Sequence, residues 1–234
     1  MIDFAKVVQL FIDLLPQLPV TLLLTILSLL GGLVLGLVLA LVRIYRVPVL
    51  SQLVVVYVSF MRSTPMLVQL FLIFYGLPKI IQVITGYDIQ YWSSLTFSVL
   101  AFSLHCAAAM SEVYRSAYLA VPKAQLEAGY AVGMTYFQTL RRILLPQMMR
   151  VALPNIGNHS ITLFKESTIA FTIGLVDVMG QAQILIERSY GIFLLETYLA
   201  VSVIYWFCSM LMGRFVAYMN ARYAKRYKIM AGKA

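Results

Sequence analysis

The chain has 234 residues, of which 62% are hydrophobic and only 12% charged, with a formal net charge of +9. No water-soluble domain of this size needs so much apolar surface, so the composition selects an integral membrane protein. The basic residues are scattered near segment ends and form no single patch, which argues against a nucleic-acid partner and for topology signals.

In chain order, residues 1–18 place Phe4, Val7, Val8, Phe11, Leu14 and Leu15 at helical spacing, the pattern of an amphipathic helix lying at an external interface. Pro16 and Pro19 are expected to separate it from the first span. Residues 20–42 carry no charge, and as a helix about 34 Å long they would cross a hydrocarbon core of about 30 Å. A second apolar region spans 50–76 and is interrupted by Arg62, Ser63, Thr64 and Pro65. Pro65 should kink it, and Arg62 should face protein or water, because an arginine in lipid costs about 2.5–3.5 kcal/mol on insertion scales. The third span is 93–114. Near its end Glu112 and Arg115 lie three apart, the spacing of a local ion pair.

Residues 121–147 then form the one long polar-faced segment. Pro122 suits a first helical turn, Gly133 suits a left-handed C-terminal cap, and Thr135 with Gln138 has the form of a capping box. Two short helices meeting at a glycine are expected, the second stopped by Pro146. The fourth span, 153–173, is the odd one. Asn155, Asn158, His159, Thr162, Lys165 and Glu166 make it too polar to face lipid, so it must line a cavity or be surrounded by helices. On helical spacing His159, Thr162 and Lys165 share a face that Asn155 and Asn158 continue, with Glu166 about 100° away from Lys165. Residues 177–188 read as a short external amphipathic helix, and 194–218 as the fifth span, ahead of a basic tail at 219–234. With that layout 13 basic residues fall on one side and three on the other, which puts the N-terminus outside and the C-terminus and the 121–147 loop in the cytoplasm.

Several chemistries are missing. No phosphate-binding GxxxxGK[ST] loop, no metal-ligand motif and no nucleophile elbow occurs. Cys106 and Cys208 fall inside apolar segments and read as small buried hydrophobes, and the solitary His105 reads as a hydrogen-bonded packing residue.

The polar segment carries a resemblance. Glu127, Ala128 and Gly129, then Gly133 after three residues and Ile143 to Pro146 after nine more, resemble the EAA loop of ATP-binding-cassette (ABC) importer permeases, with Gly129 where alanine is usual. Residues 62–71 (RSTPMLVQLF), 111–129 and 153–170 are similar to segments of that family's polar amino-acid branch. The resemblance covers roughly residues 20–218 and implies an all-α fold with about five spans, the membrane domain of a type I importer occupying 19–218. By the same resemblance Glu127, Ala128, Gly129 and Gly133 couple to an ATPase, Asn155, Asn158, His159, Thr162, Lys165 and Glu166 line the substrate path, and Arg62, Pro65, Glu112 and Arg115 are gating or structural. The chain is then expected to bind no cofactor or metal and to be no enzyme; ATP and magnesium belong to a partner. The implied partners are two ABC ATPase subunits, a second permease chain, identical or paralogous, an extracytoplasmic amino-acid-binding protein and membrane lipid. The implied place is the bacterial cytoplasmic membrane, and the cargo is a polar amino acid, with cystine, a basic amino acid or glutamine as candidates. The residues alone also suit an ion-coupled carrier with a proton relay through Lys165, Glu166 and His159.

Overall fold

The computed structural model describes residues 2–231, with side chains as far as Lys225. Among the described residues all regular structure is helical. Helix α1 (Phe4–Leu14) opens on Asp3, whose carboxylate accepts from the Lys6 amide, and passes through a single 3-10 turn, Leu15–Gln17, into α2 (Leu18–Ile44). The two prolines do not separate these helices as expected from the sequence. Each sits in the first turn of the segment it opens, where a missing N–H costs nothing. The result is one helical run of 41 residues, Phe4–Ile44.

A turn containing two non-glycine residues with positive φ, Arg46 and Val49, leads to α3 (Leu50–Ser63). The second apolar region is then broken, not merely kinked. Thr64 and Pro65 are both extended, because the proline ring bars its predecessor from the α region. The membrane-length segment starts after that break, as α4 (Met66–Phe71), a π turn at Leu72–Gly76, and α5 (Leu77–Thr85). It therefore runs from Met66 to Thr85 and not from 50 to 76.

Helix α6 (Ser94–Leu119) returns across the molecule and leads into the polar loop, α7 (Lys123–Ala131) and α8 (Tyr136–Thr139). Pro146 does not stop the second loop helix. A π turn at Leu140–Leu144 carries α8 directly into α9 (Leu145–Glu166). The same device appears twice: after both π turns comes a Leu-Pro pair, Leu77-Pro78 and Leu145-Pro146, with the proline in the first turn of the next helix. The wider i→i+5 turn leaves room for a ring that an unbroken α-helix would reject. After α9 the chain tightens into a 3-10 segment, Ser167–Ile173, then bends by 47° into α10 (Val178–Arg188), which Asp177 caps. Helix α11 (Leu194–Ala231) closes the fold and absorbs most of the basic tail read at 219–234, of which Lys233 lies outside the described residues. Among the described residues four runs are long and apolar enough to span a bilayer, and the bent Tyr136–Ile173 run with α10, taken as one span, makes a fifth.

The central packing is α2 against α6. A Cβ at Gly32 would lie 2.4 Å from the Cβ and Sγ of Cys106, and one at Gly36 would meet the Met110 Cβ at 2.6 Å and backbone atoms of Ala107 and Ser111 at 3.0 and 3.1 Å. In lipid the hydrophobic effect does not drive helices together, so this backbone-close van der Waals contact is what joins them. Around it Leu24, Leu70, Phe97, Phe102, Met110 and Leu163 are buried. A second core joins α1, α10 and α11 through Leu10, Leu14, Val178, Ala182, Ala200 and Ile204, with Phe164 of α9. The opposite side of α2 exposes Ile26, Leu30, Val34, Leu37 and Val38, an apolar face for lipid.

Candidate functional site

Three groups of residues carry chemistry, and α6 touches two of them. The first is the polar loop. Helix α7 ends in a complete Schellman motif, with the Met134 amide donating to Gly129 O at 3.1 Å and the Gly133 amide to Tyr130 O at 2.9 Å. Gly133 has φ of 78°, so the glycine is required there. The expected capping box is formed: Thr135 Oγ1 accepts from the Gln138 amide and Gln138 Oε1 from the Thr135 amide. The departure from the alanine of the EAA pattern has a local meaning. Gly129 is buried where α7 crosses α8, and a Cβ there would meet Ile143 Cδ1 at 2.9 Å and Thr139 Cγ2 at 3.0 Å. The loop is thus a tight hairpin. It exposes Glu127 and Ala128, and also Tyr130, Val132 (73%), Tyr136 and Phe137 (66%).

The second group lies between α6 and α9. His105 Nδ1 is 3.0 Å from Gln69 Oε1, and its Nε2 is 3.8 Å from Glu166 Oε2. The Gln69 amide nitrogen donates to Met61 O, Thr64 O and Thr64 Oγ1, at 2.8, 3.0 and 3.0 Å, so Gln69 also supplies donors to carbonyls left free where α3 breaks. That orientation leaves the Gln69 carbonyl for His105, and its Nδ1 must be the donor. His159 joins the cluster within electrostatic reach of His105. Glu166 Oε2 and His159 Nε2 are buried atoms with no hydrogen-bond partner among the described residues. Polar atoms buried in a span without hydrogen-bond partners are costly.

The substrate-path set read from the sequence is therefore divided in two. His159 keeps company with Glu166 and not with Thr162 and Lys165, since seven residues return a helix to within about 20° of the same direction. Asn155, Asn158, Thr162 and Lys165 form a separate, exposed polar stripe along α9. Within the chain Asn155 donates to Val151 O at 2.7 Å and Thr162 to Asn158 O at 3.3 Å, while the Lys165 ammonium makes no hydrogen bond or ion pair among the described residues, its charge reaching Glu166.

The third group is at the loop end of α2, α3 and α6. Glu112 binds Arg115 Nε and Nη2 at 3.1 and 2.9 Å, the local pair expected, and it also takes Arg43 Nη1 of α2. Arg43, Glu112, Arg62 and Ser63 line a cleft of about 390 Å³. Arg62 is exposed on this chain, turned to that polar cleft, and Pro65 is exposed at the break behind it. Two residues past Arg43, Tyr45 shares a 2.6 Å hydroxyl hydrogen bond with Tyr136 of the loop. That bond, then burial and nearby Tyr118 and Tyr130, push the Tyr136 phenol up to about 12, so it stays protonated at neutral pH.

Sequence reasoning missed Gln69, Arg43 and the tyrosine pair; it read His105 as hydrogen-bonded, as it is, but without naming Gln69 as the partner. The signals were present in part. Gln69 is a lone amide in an apolar run, which asks for a buried partner, whereas Arg43 was counted only as a topology charge.

Residues 32–225 match the family model described as "Binding-protein-dependent transport system inner membrane component". The chain is 39% identical to a probable amino-acid ABC transporter permease protein of Vibrio harveyi, over 96% of this chain and 98% of that one. It is 42% identical to an L-cystine transport system permease protein of Bacillus subtilis (strain 168), over 89% and 86% of the two chains. Among solved structures it superposes on a chain of an amino acid ABC transporter with histidines at a TM-score of 0.82 and 30% identity, covering 95% of this chain and 99% of that one. An inward-facing methionine ABC transporter matches at a TM-score of 0.68 and 20% identity, a likeness of fold.

Proposed function

We propose, from the premise that this chain belongs to the binding-protein-dependent transport system inner membrane component family and is an amino-acid ABC permease, that it imports a zwitterionic amino acid across a bacterial cytoplasmic membrane with energy from a separate ATPase. A chain of this family is a translocation component and not an enzyme. Its loop end faces the cytoplasm, and α10 and the α1 end face outside, where a loaded binding protein docks.

The observation that carries the reading is the loop hairpin. It is fixed by a Schellman cap, a capping box and the buried Gly129, yet it exposes Val132 and Phe137 at 73% and 66%. A rigid hairpin that presents apolar side chains away from the spans is built to seat on a protein partner. Glu127, Ala128, Gly129 and Gly133 are its frame, and ATP and magnesium sit on the partner.

Substrate is received at Glu166, His159 and His105. The Glu166 carboxylate accepts from the solute's ammonium, and an imidazole donates to its carboxylate. The exposed stripe of Asn155, Asn158, Thr162 and Lys165 is too polar for lipid, which supports a second permease chain across a shared aqueous path, with Lys165 attracting the solute carboxylate. Cystine is the first substrate to test, given the B. subtilis relative; a basic amino acid or glutamine are the alternatives. Because Glu166, His159 and His105 are titratable and lie near one another, an ion-coupled carrier is the second reading, though the Lys165 ammonium makes no hydrogen bond or ion pair with that cluster among the described residues.

Purification in mild detergent from the native host, with quantitative mass spectrometry of the product, tests this. An ATPase subunit near one-to-one with this chain, lost on Gly133→Trp, is the expected result. A chain that comes out alone and transports in liposomes without ATP, sensitive to an uncoupler, sinks the importer.

A further inference from the structure

Helices α2 and α6 move as one body, because side chains larger than hydrogen do not fit between them at Gly32 and Gly36 and because Arg43 and Glu112 clasp them at the loop end. The α8–α9 run, Tyr136–Ile173, is a second body: it carries His159 and Glu166 toward one end and begins with Tyr136 at the other. The two bodies meet along a seam that shares the apolar core at Leu163 and Ile156 and carries a polar contact at each end. At its interior end His105 of α6 faces Glu166 of α9 at 3.8 Å. At its loop end Tyr45, the C-terminal cap of α2, meets Tyr136, the first residue of α8, at 2.6 Å.

We infer that the Tyr45–Tyr136 hydrogen bond is a latch across the seam between the α2–α6 body and the α8–α9 body, made in this conformation and broken when the substrate path opens. The latch is a positioning device and touches no substrate. Its place is set by the connectivity. Tyr136 lies in the same hairpin as the surface proposed to meet the ATPase, so a push on that hairpin reaches the seam at the point where the two bodies are tied. Both phenols are more than half exposed. Water competes for such a bond, so making or breaking it shifts an equilibrium modestly, which suits a contact that must exchange on every cycle. The role in a transport cycle rests on the function proposed above, whereas the tie itself is open to a separate measurement.

The test uses the full permease with its ATPase in lipid nanodiscs, on a Cys106→Ala, Cys208→Ala background. Electron–electron distances are read between spin labels at Leu41 of α2 and Val151 of α9, across the seam, and between Leu41 and Leu119 of α6, inside one body. All three positions are exposed. In the nucleotide-free state Tyr45→Phe and Tyr136→Phe each shift the cross-seam populations by about threefold toward the distance seen with ATP bound, the scale of one solvated neutral hydrogen bond. The double variant adds nothing to either single one, because each removes the same bond. The Leu41–Leu119 distances stay unaltered. Cross-seam distributions indifferent to both substitutions overturn the latch, and so does an equal change inside the α2–α6 body, which would make the bond a general structural contact. Failure of the ATPase to bind at all sinks the importer reading; the latch is then decided by whether Tyr45→Phe and Tyr136→Phe alter the cross-seam distribution while leaving the Leu41–Leu119 distances unaltered.

Discussion

Helix α6 has two unlike sides. Toward α2 it presents small or slim positions, Ser103, Cys106, Ala107 and Ser111, and receives glycines so closely that a methyl group at Gly32 or Gly36 collides. Toward α9 it presents His105, whose neighbours Glu166 and His159 keep polar atoms without hydrogen-bond partners. The first seam has one good packing and resists any other. The second packs Leu163 and Ile156 into the same apolar core but leaves the His105–Glu166 contact open at 3.8 Å. A transporter needs both, a body that transmits displacement and a joint that yields.

The largest effect is expected from damage to the closed seam. Gly36→Leu drives a side chain into Met110 and into backbone at Ala107 and Ser111, neither of which can give way as a flexible side-chain end would. Overpacking there should cost on the order of 3 kcal/mol, seen as a sharp fall in monodisperse protein and in melting temperature in detergent. If Gly36→Leu is recovered at wild-type yield with unaltered melting, α2 and α6 are not a single body.

Damage to the open seam should leave folding intact and remove function. Glu166→Gln takes away a charge that the protein only half buries and does not hydrogen-bond at Oε2. Uptake should fall at least about tenfold, the scale of one charged hydrogen bond to a solute, with melting little altered. His105→Leu lies between the two cases. It leaves the Gln69 carbonyl without its donor inside a span, so stability should drop by about 1–2 kcal/mol and transport should fall as well.

At the loop, Gly133→Ala forces an L side chain to φ near 78°, at a cost of about 1–2 kcal/mol concentrated in the hairpin. ATPase binding should weaken by about tenfold or less while the spans melt as before. The smallest effect is reserved for Lys165→Ala on the exposed stripe. A rise of a few-fold in transport KM with unaltered kcat is expected if the ammonium only attracts solute; an unaltered KM removes Lys165 from the path.

How much of this was legible before the structure differs between the same two seams. The loop hairpin could be read down to its caps, because a left-handed glycine and a Thr-x-x-Gln box are local rules, set by a few neighbouring residues. The five apolar segments could be read too, since bilayer thickness sets their length. Their ends could not. Pro16, Pro19 and Pro146 look like stops, yet each stands in the first turn of a new segment, and Pro146, like Pro78, comes after a π turn that has no sequence signature known from a single chain. Residues at the open seam were found singly and grouped wrongly. Spacing alone put His159 with Lys165, but which face of α9 turns to α6 depends on long-range packing against His105 and Val216. Arg43 with Glu112, 69 residues apart, and Tyr45 with Tyr136, 91 apart, lie beyond any local rule.

The most direct test of the central claim is ATP-dependent uptake by the complete complex in proteoliposomes, using labelled amino acids headed by L-cystine, with and without Glu166→Gln. The predicted result is accumulation that needs ATP and is lost in Glu166→Gln although the ATPase still binds. Accumulation that proceeds without ATP, or that is equal in Glu166→Gln, would contradict it.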